Sequence, residues 1–386
     1  MPCLALADAV GSVVSALKEH PRVLAAQARV LLAEADAKRE KASQYPRVIF
    51  STDGGRQLFG NAGVNQSRAL GDREFVDGIV SARQQLFDFG ATRSRIDSAV
   101  RQAEAEAITP TLELNSLIQE TLERVSRLVV SQQLLALSKA TQQGLREQAD
   151  LARIRYEKGL TNASIYRRLL LSLDRLEQDA INAKAEVDAA QVEIAELLGL
   201  PVDELLQFFE QVDLSLPEMN RQGLSSLQIE HRRQAATYQV KAAEAERLPS
   251  IALELESRFF DLDKSLAADY EVTGNVVVTV PFFDGGARAA RQAAAEFETI
   301  ALEREAEFSQ RVLNERAGQV QLQIATLEAT VASLEQQADS LAESLKLSQL
   351  RQGQTEVGID ELAAGLMNLY DNQVARARAR GELVQR

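Results

Sequence analysis

Apolar side chains recur in alternating steps of three and four residues along two long stretches of the chain. The first stretch carries Leu169, Leu173, Leu176, Ala180, Ala183, Val187, Ala190, Ile194 and Leu197. The second carries Val320, Ile324, Leu327, Val331, Leu334, Ala338, Leu341 and Leu345. This heptad spacing is typical of a coiled-coil seam, and its small alanines let neighbouring helices approach closely. The spacing therefore predicts long helices that pack as coiled coils.

Shorter stretches alternate apolar and polar residues, which is typical of β-strands. In one stretch, Ile251, Leu253 and Leu255 alternate with Ala252, Glu254 and Glu256; in another, Val272, Val276, Val278 and Val280 oppose Glu271, Thr273, Asn275 and Thr279. Such two-faced strands fit a membrane barrel with lipid outside and water inside. They fit a soluble sheet over a core equally well. Since four strands cannot close a barrel and open edges are not tolerated in lipid, membrane use would require an oligomer.

The chain also contains an internal repeat. Each half reads helix, strand, loop, strand, very long helix, glycine turn, long helix, and an Asp-x-Gly sequence at Asp88 or Asp284 follows its second strand. Gly159 lies 71 residues after Asp88, and Gly353 lies 69 residues after Asp284. We predict strands at about 45–58, 74–88, 249–260 and 270–283, and long helices at 90–157, 162–199, 286–352 and 359–386.

These elements divide the chain into a first repeat at 8–200, a linker region at 201–224 and a second repeat at 225–386. Residues 1–7 end in Ala-Leu-Ala, which is typical of a signal-peptidase site, so they are interpreted as the remnant of a signal peptide. Residues 111–200 and 282–386 contain no proline, as long helices require. Pro110 is expected to kink the helix predicted at 90–157.

Composition and charge narrow the possible functions. One cysteine, Cys3, excludes an intramolecular disulfide framework and a zinc cluster, and His20 and His231 leave little for a histidine-based site. A net charge of −13 argues against nucleic acid as a partner, because phosphate binding needs a basic surface. We predict no catalytic residue, no cofactor and no metal, and hence no enzyme.

Several short motifs occur in a characteristic order. They are Leu86-Phe87-Asp88-Phe89-Gly90, Arg155-Tyr156-Glu157-Lys158-Gly159-Leu160, Leu197-Leu198-Gly199, Leu248-Pro249-Ser250-Ile251 and Pro281-Phe282-Phe283-Asp284-Gly285-Gly286. In this order, and together with the tandem repeat, they resemble the TolC-like outer membrane efflux protein family over nearly the whole chain.

The resemblance implies a fold that is mainly α with a small β part. Three protomers would each give four strands to one 12-stranded transmembrane β-barrel, and their helices would continue it as a long coiled-coil barrel across the periplasm. Such homotrimers are channels in the bacterial outer membrane, in contact with its lipid. They serve as passive exit ducts of tripartite efflux pumps or type I secretion systems, with a periplasmic adaptor protein and an inner-membrane transporter as partners.

The resemblance also implies functional positions. The tips that would contact the adaptor are Arg155, Tyr156, Gly159, Leu160 and Thr161 in the first repeat, and Leu350 and Gly353 in the second. The strand–helix corners are Asp88, Gly90, Asp284, Gly285 and Gly286. Asp360 and Glu361 would line the tunnel entrance. Arg167, Arg168 and Arg351 are candidate partners for these acids, but the sequence alone does not pair them. Ordinary roles remain open, because glycine suits a helix reversal and acids suit a helix N-terminus.

The main alternative is a soluble periplasmic or cytoplasmic coiled-coil scaffold whose small sheets dimerise. Membrane fractionation distinguishes the two hypotheses, because a duct should fractionate with outer membranes and need detergent. An enzyme would instead require a pocket with convergent histidine, cysteine or paired catalytic carboxylates, and the sequence contains no such motif.

Overall fold

The computed structural model describes residues 15–57, 73–199, 223–260, 270–352 and 358–385. Its helices are α1 (Pro21–Ala42), α2 (Ala91–Glu106), α3 (Thr109–Glu157), α4 (Ala163–Leu198), α5 (Leu224–Ala245), α6 (Ala287–Gln352) and α7 (Ile359–Gln385). Its strands are β1 (Arg47–Gln57), β2 (Arg73–Phe87), β3 (Ser250–Phe259) and β4 (Tyr270–Thr279). The predicted class, mainly α with a small β part, is confirmed. Residues 1–7, most of the linker region and Gly353 lie outside the described residues.

Two helices occupy the segment 90–157 that the sequence predicts as one. Helix α2 ends at Glu106 and α3 begins at Thr109, so Ala107 and Ile108 interrupt the helix. Pro110 is the second residue of α3, where its missing N–H is not needed and its fixed φ suits the first turn. A helix continued through Pro110 would bring the proline ring against the carbonyl of Glu106. The expected kink is therefore a complete break.

The chain folds as two compact units. The helical unit comprises residues 1–25, 110–221 and 311–386, and the sheet unit comprises residues 26–109 and 222–310. None of the described helices contains an 18-residue stretch apolar enough to cross a membrane.

The helical unit confirms both coiled-coil seams. On α4 the buried seam residues are Leu169, Leu176, Ala183, Val187, Ala190 and Ile194. On α6 the seam residues from Val320 to Leu345 are buried or half-buried, whereas nearly all residues between them are exposed. The α6 seam faces α7, where Asn372 Nδ2 donates to Gln337 Oε1 at 3.3 Å and Arg380 pairs with Glu335.

The sheet is antiparallel throughout, with strand order β1-β2-β3-β4. Directly paired residues lie on the same face of a sheet, so the register defines two faces. The apolar face carries Val48, Phe50, Val76, Val80, Phe87, Ile251, Leu253, Leu255, Tyr270, Val272, Val276 and Val278. The polar face carries Arg47, Asp53, Asp77, Arg83, Glu254, Glu256, Arg258, Glu271, Thr273, Asn275 and Thr279, together with Ile49, Ile79, Ala252 and Val277. The apolar face is largely uncovered, since Phe50, Val272 and Val276 are each about two-thirds exposed.

Helices α3 and α7 cross closely at Gly381, in the helical unit. Ser126 Oγ donates to the carbonyl oxygen of Gly381 at 2.8 Å. A Cβ at Gly381 would clash with Cγ2 of Val130, whereas a Cβ at Gly318 of α6 would meet no atom within 4 Å. Gly381 is therefore required by packing, and Gly318 is not.

We expect Gly381→Ala to lower the free energy of unfolding by about 1–3 kcal/mol, because overpacking forces the crossing apart. The matched control is Gly318→Ala, which should raise the free energy of unfolding by about 0.5–1 kcal/mol through helix propensity. Denaturant unfolding followed by circular dichroism measures both. Equal effects of the two substitutions would contradict the close crossing.

Candidate functional site

The two strand–helix corners have the same hydrogen-bonded structure. In the first, the Asp88 carboxylate accepts from the backbone N–H of Gly90 at 3.2 Å and of Thr92 at 2.8 Å. In the second, the Asp284 carboxylate accepts from Gly286 at 3.1 Å and from Arg288 at 3.0 Å. Each aspartate thus satisfies N–H groups that the start of a helix leaves without an intrahelical partner. At each corner, therefore, an aspartate three residues before the first helical residue caps the helix that follows the strand.

Each corner also requires two successive residues in the left-handed region. Gly90 and Gly286 have φ of 88° and 89°, and Gly285 has φ of 67°. The residue equivalent to Gly285 is Phe89, whose φ is 54°. A side chain in this region costs on the order of 1 kcal/mol. The Phe89 ring packs edge-on against Phe87, with ring centroids 4.7 Å apart, and this contact offsets part of that cost.

The electrostatics of the second corner keep Asp284 ionised. Partial burial tends to raise the pKa of this carboxyl group, but hydrogen bonds from the Arg288 and Gly286 N–H groups and the charges of Arg288 and Arg291 outweigh it, so the pKa lies below its usual value. Because the pKa is lowered on folding, the stabilisation is present above the unfolded pKa near 3.8 and is lost as the pH falls through the folded pKa. The cap is thus intact at neutral pH.

The first tip is a helix reversal between α3 and α4. Leu160 N–H donates to the Arg155 carbonyl at 2.8 Å and Gly159 N–H donates to the Tyr156 carbonyl at 2.9 Å, which is the Schellman pattern of a helix C-terminus. Gly159 has φ of 69°, as this pattern requires. Thr161 is half-buried, and the next residue, Asn162, caps α4 by accepting from Ser164 N–H at 3.1 Å.

The surface of the first tip is apolar and aromatic. Leu160 is 72% exposed and Tyr156 is 46% exposed, and Arg155 is exposed in the last turn of α3. The Tyr156 ring stacks on Tyr166 of α4, with centroids 6.4 Å apart and planes 16° apart. The apolar side chains of the first tip are therefore uncovered in the described chain.

The second tip is described on both sides of residues 353–357. Leu350, near the end of α6, is 65% exposed. Asp360 and Glu361 are exposed in the first turn of α7, where carboxylates interact favourably with the helix dipole. Arg168 of α4 lies 4.0 Å from Asp360, measured from Nη2 to Oδ2. Of the three arginines expected as partners, Arg168 has this contact.

Sequence reasoning missed a partly buried polar cluster between α3, α4 and α7. Tyr370 Oη donates to Asp179 Oδ2 at 3.1 Å and lies 3.0 Å from Ser138 Oγ. Arg175 Nη2 donates to Asp371 Oδ1 at 2.6 Å. Burial, followed by the nearby Asp179 charge, raises the pKa of Tyr370. The sequence does contain a signal for this cluster, because Tyr370 occupies an apolar position in the spacing of α7. A tyrosine buried there needs a hydrogen-bond partner for its hydroxyl group.

Within the described ranges, no group of three or more histidine, cysteine, aspartate or glutamate residues is arranged to hold a metal ion.

Comparison with known proteins identifies the class. Residues 13–200 match the family model described as outer membrane efflux protein. The alkaline protease secretion protein AprF of Pseudomonas aeruginosa is 26% identical over 294 residues, which cover 67% of this chain and 58% of that protein's length. The outer membrane protein VceC of Vibrio cholerae has the same fold, with a TM-score of 0.86 and 15% identity over 98% of this chain and 93% of that one. The CmeC outer membrane channel of Campylobacter jejuni also has this fold, with a TM-score of 0.81 and 16% identity over 98% of this chain and 83% of that one.

Residues 13–200 belong to the outer membrane efflux protein family, as the order of the motifs indicated. This is a family of channel and transport proteins rather than of enzymes, and it is located in the bacterial outer membrane. The solved structures show that the fold of the chain is that of TolC-like channels.

We expect Asp88→Ala to free the Gly90 and Thr92 N–H groups and to lower the free energy of unfolding by about 1 kcal/mol, the usual value of a cap. Amide hydrogen exchange at residues 90–94 should rise, and Asp88→Asn, which keeps an acceptor oxygen, should lose less protection. The control is Asp97→Ala, which removes an ion pair with Arg93 further along α2. Unchanged exchange at 90–94 in Asp88→Ala would contradict the capping role.

Proposed function

We propose that the chain is one protomer of a trimeric channel-tunnel that acts as the passive exit duct of a tripartite efflux pump or a type I secretion system. The observation that carries this proposal is the two-faced sheet, which leaves an apolar face uncovered and gathers charged residues on the other side. Family membership supports the transport function. No catalytic role is part of the proposal.

The sheet must close to function in a membrane. Strands β1 and β4 are its two edges, and unpaired edge groups are not tolerated in hydrocarbon. Pairing of β4 with β1 of the next protomer removes both edges, and three copies give twelve strands. The apolar face then meets lipid, and the polar face lines a water-filled lumen.

The helical unit supplies the periplasmic tunnel and the contacts with partners in this proposal. The exposed side chains of the first tip, together with Leu350 on the second, form the surface that an adaptor protein would contact. The adaptor in turn connects the duct to an inner-membrane transporter. The similarity to a protease secretion protein supports type I secretion as one candidate system, and the family description supports efflux as the other.

A soluble scaffold is less consistent with the sheet. Such a protein would have to cover the apolar face in water, where exposed apolar patches of this extent mark interaction surfaces. Fractionation with cytosolic or periplasmic protein, without detergent, would favour the scaffold.

The strand faces provide the direct test. Val276→Arg should cost about 2–4 kcal/mol near the bilayer midplane and reduce recovery from the outer membrane, whereas the adjacent Asn275→Arg should insert normally. Mass measurement in detergent should give three copies for the wild type and for Asn275→Arg. Equal tolerance on both faces, or a stable monomer in detergent, would reject the proposed assembly.

The entrance provides a second test. Three copies of Asp360 and Glu361 would place up to about six negative charges near one axis, where Coulomb interactions exceed those in bulk water. The double variant Asp360→Ala/Glu361→Ala should lose cation preference in planar bilayers, and conductance should rise because the Arg168–Asp360 contact is removed. Glu382→Gln, an exposed acid near the other end of α7, is the control. If selectivity and conductance do not change, the two acids only stabilise the start of α7.

A further inference from the structure

The polar face of the sheet has an uneven distribution of charge. Its last charged row on the side of the helices consists of Arg47 on β1, Arg83 on β2 and Glu254 on β3, with neutral Asn275 on β4. The rows between this one and the corners contain only uncharged residues, such as Gln85, at the described positions. The row therefore borders the end of the sheet where the helices begin.

Two like charges are paired directly in this row. Arg47 is the cross-strand partner of Arg83, and like charges directly opposite each other destabilise a sheet. Arg83 has a partial counter-charge, because its Nη1 lies 3.2 Å from Glu254 Oε1. Glu256 on the same face is paired with Arg258 at 3.4 Å. Arg47 is exposed and has no ion-pair partner among the described residues.

We propose that Arg47 and Arg83 form an anion-attracting collar at the helix-side end of the barrel lumen, and that this collar raises the permeability to small anionic solutes above what the acidic entrance alone would give. The inference rests on the proposed trimer, in which the polar face lines the lumen. Three copies would bring six arginines and three glutamates to one ring, a net charge of about +3 in a low-dielectric wall that focuses the field. Guanidinium groups also match the geometry of carboxylate and phosphate oxygens.

The collar is a local exception in the charge of the protein. The whole chain has a net charge of −13, and the other charged positions of the polar face are Asp53, Asp77, Glu256 and Glu271, with Arg73 and Arg258 among them. A general excess of arginine therefore does not explain the row. Arg47 has no ion-pair partner among the described residues and lies opposite Arg83, so the pair destabilises the sheet. We attribute its presence to the attraction of anions.

The experiment uses the full-length protein in planar bilayers under a potassium chloride gradient, with the reversal potential giving the chloride-to-potassium permeability ratio. Arg47→Gln and Arg83→Gln should each lower that ratio by roughly two-fold or more at about 0.1 M salt, where the Debye length is near 10 Å. At about 1 M salt the difference should shrink, because screening acts within about 3 Å. Glu254→Gln should raise the ratio, and Arg47→Lys should preserve it.

Two controls isolate the collar. Arg93→Gln removes an exposed positive charge from α2 in the sheet unit but not from the polar face, and it should leave the permeability ratio unchanged. Each variant is first checked for the wild-type assembly mass in detergent, so that a folding defect is recognised. Arg47→Lys, which keeps the charge, is the folded comparison for Arg47→Gln.

The possible results separate this inference from the proposed function. If the wild type conducts as a trimer and neither Arg47→Gln nor Arg83→Gln changes the permeability ratio, the collar proposal is wrong and the proposed duct is unaffected. If the purified wild type forms no conducting trimer, the proposed function fails and the collar fails with it. If the permeability ratio falls in the arginine variants and rises in Glu254→Gln, the result supports both the proposed duct and the collar.

Discussion

Backbone pairing in the antiparallel sheet is the interaction on which the rest of this structure depends. The register from β1 to β4 places Phe50, Leu253 and Val276 on one side and Arg83, Glu254 and Asn275 on the other. A slip of one residue would exchange the two sides of a strand. Because the two outer strands retain unpaired backbone groups, the same register that sorts the side chains also leaves a requirement for a neighbour.

The corners show how the chain passes from strand to helix without exposing helix-end N–H groups. Asp88 and Asp284 reach forward over two left-handed residues, and their carboxylates accept the same pair of backbone hydrogen bonds in each half. The equivalence extends to backbone angles, although Phe89 stands where the second half has Gly285. Its contact with Phe87 is a local compensation for an unfavourable conformation.

In the helical unit, regular apolar packing is interrupted by hydrogen-bonded polar groups. Ser126 bonds to the backbone of α7 at Gly381, and Ser138 bonds to Tyr370, which also bonds to Asp179 on α4. These bonds connect α3 with α7, and α7 with α4, at defined heights. A heptad seam alone permits helices to slide by one turn, whereas buried polar pairs specify one register.

The sequence by itself determined the strands, their two faces and all the long helices except the break before Pro110, because heptad spacing, alternation and glycine turns are local properties of a chain. The order of its short motifs gave the resemblance to the family. Thus the seams at Leu176 and Leu334, the reversal at Gly159 and the alternation around Glu254 were readable in advance. Tertiary structure alone decided that Arg47 opposes Arg83, that Arg168 approaches Asp360 and that Tyr370 meets Asp179. Such contacts join residues distant in the chain, and they depend on strand register and helix rotation, which no local spacing specifies.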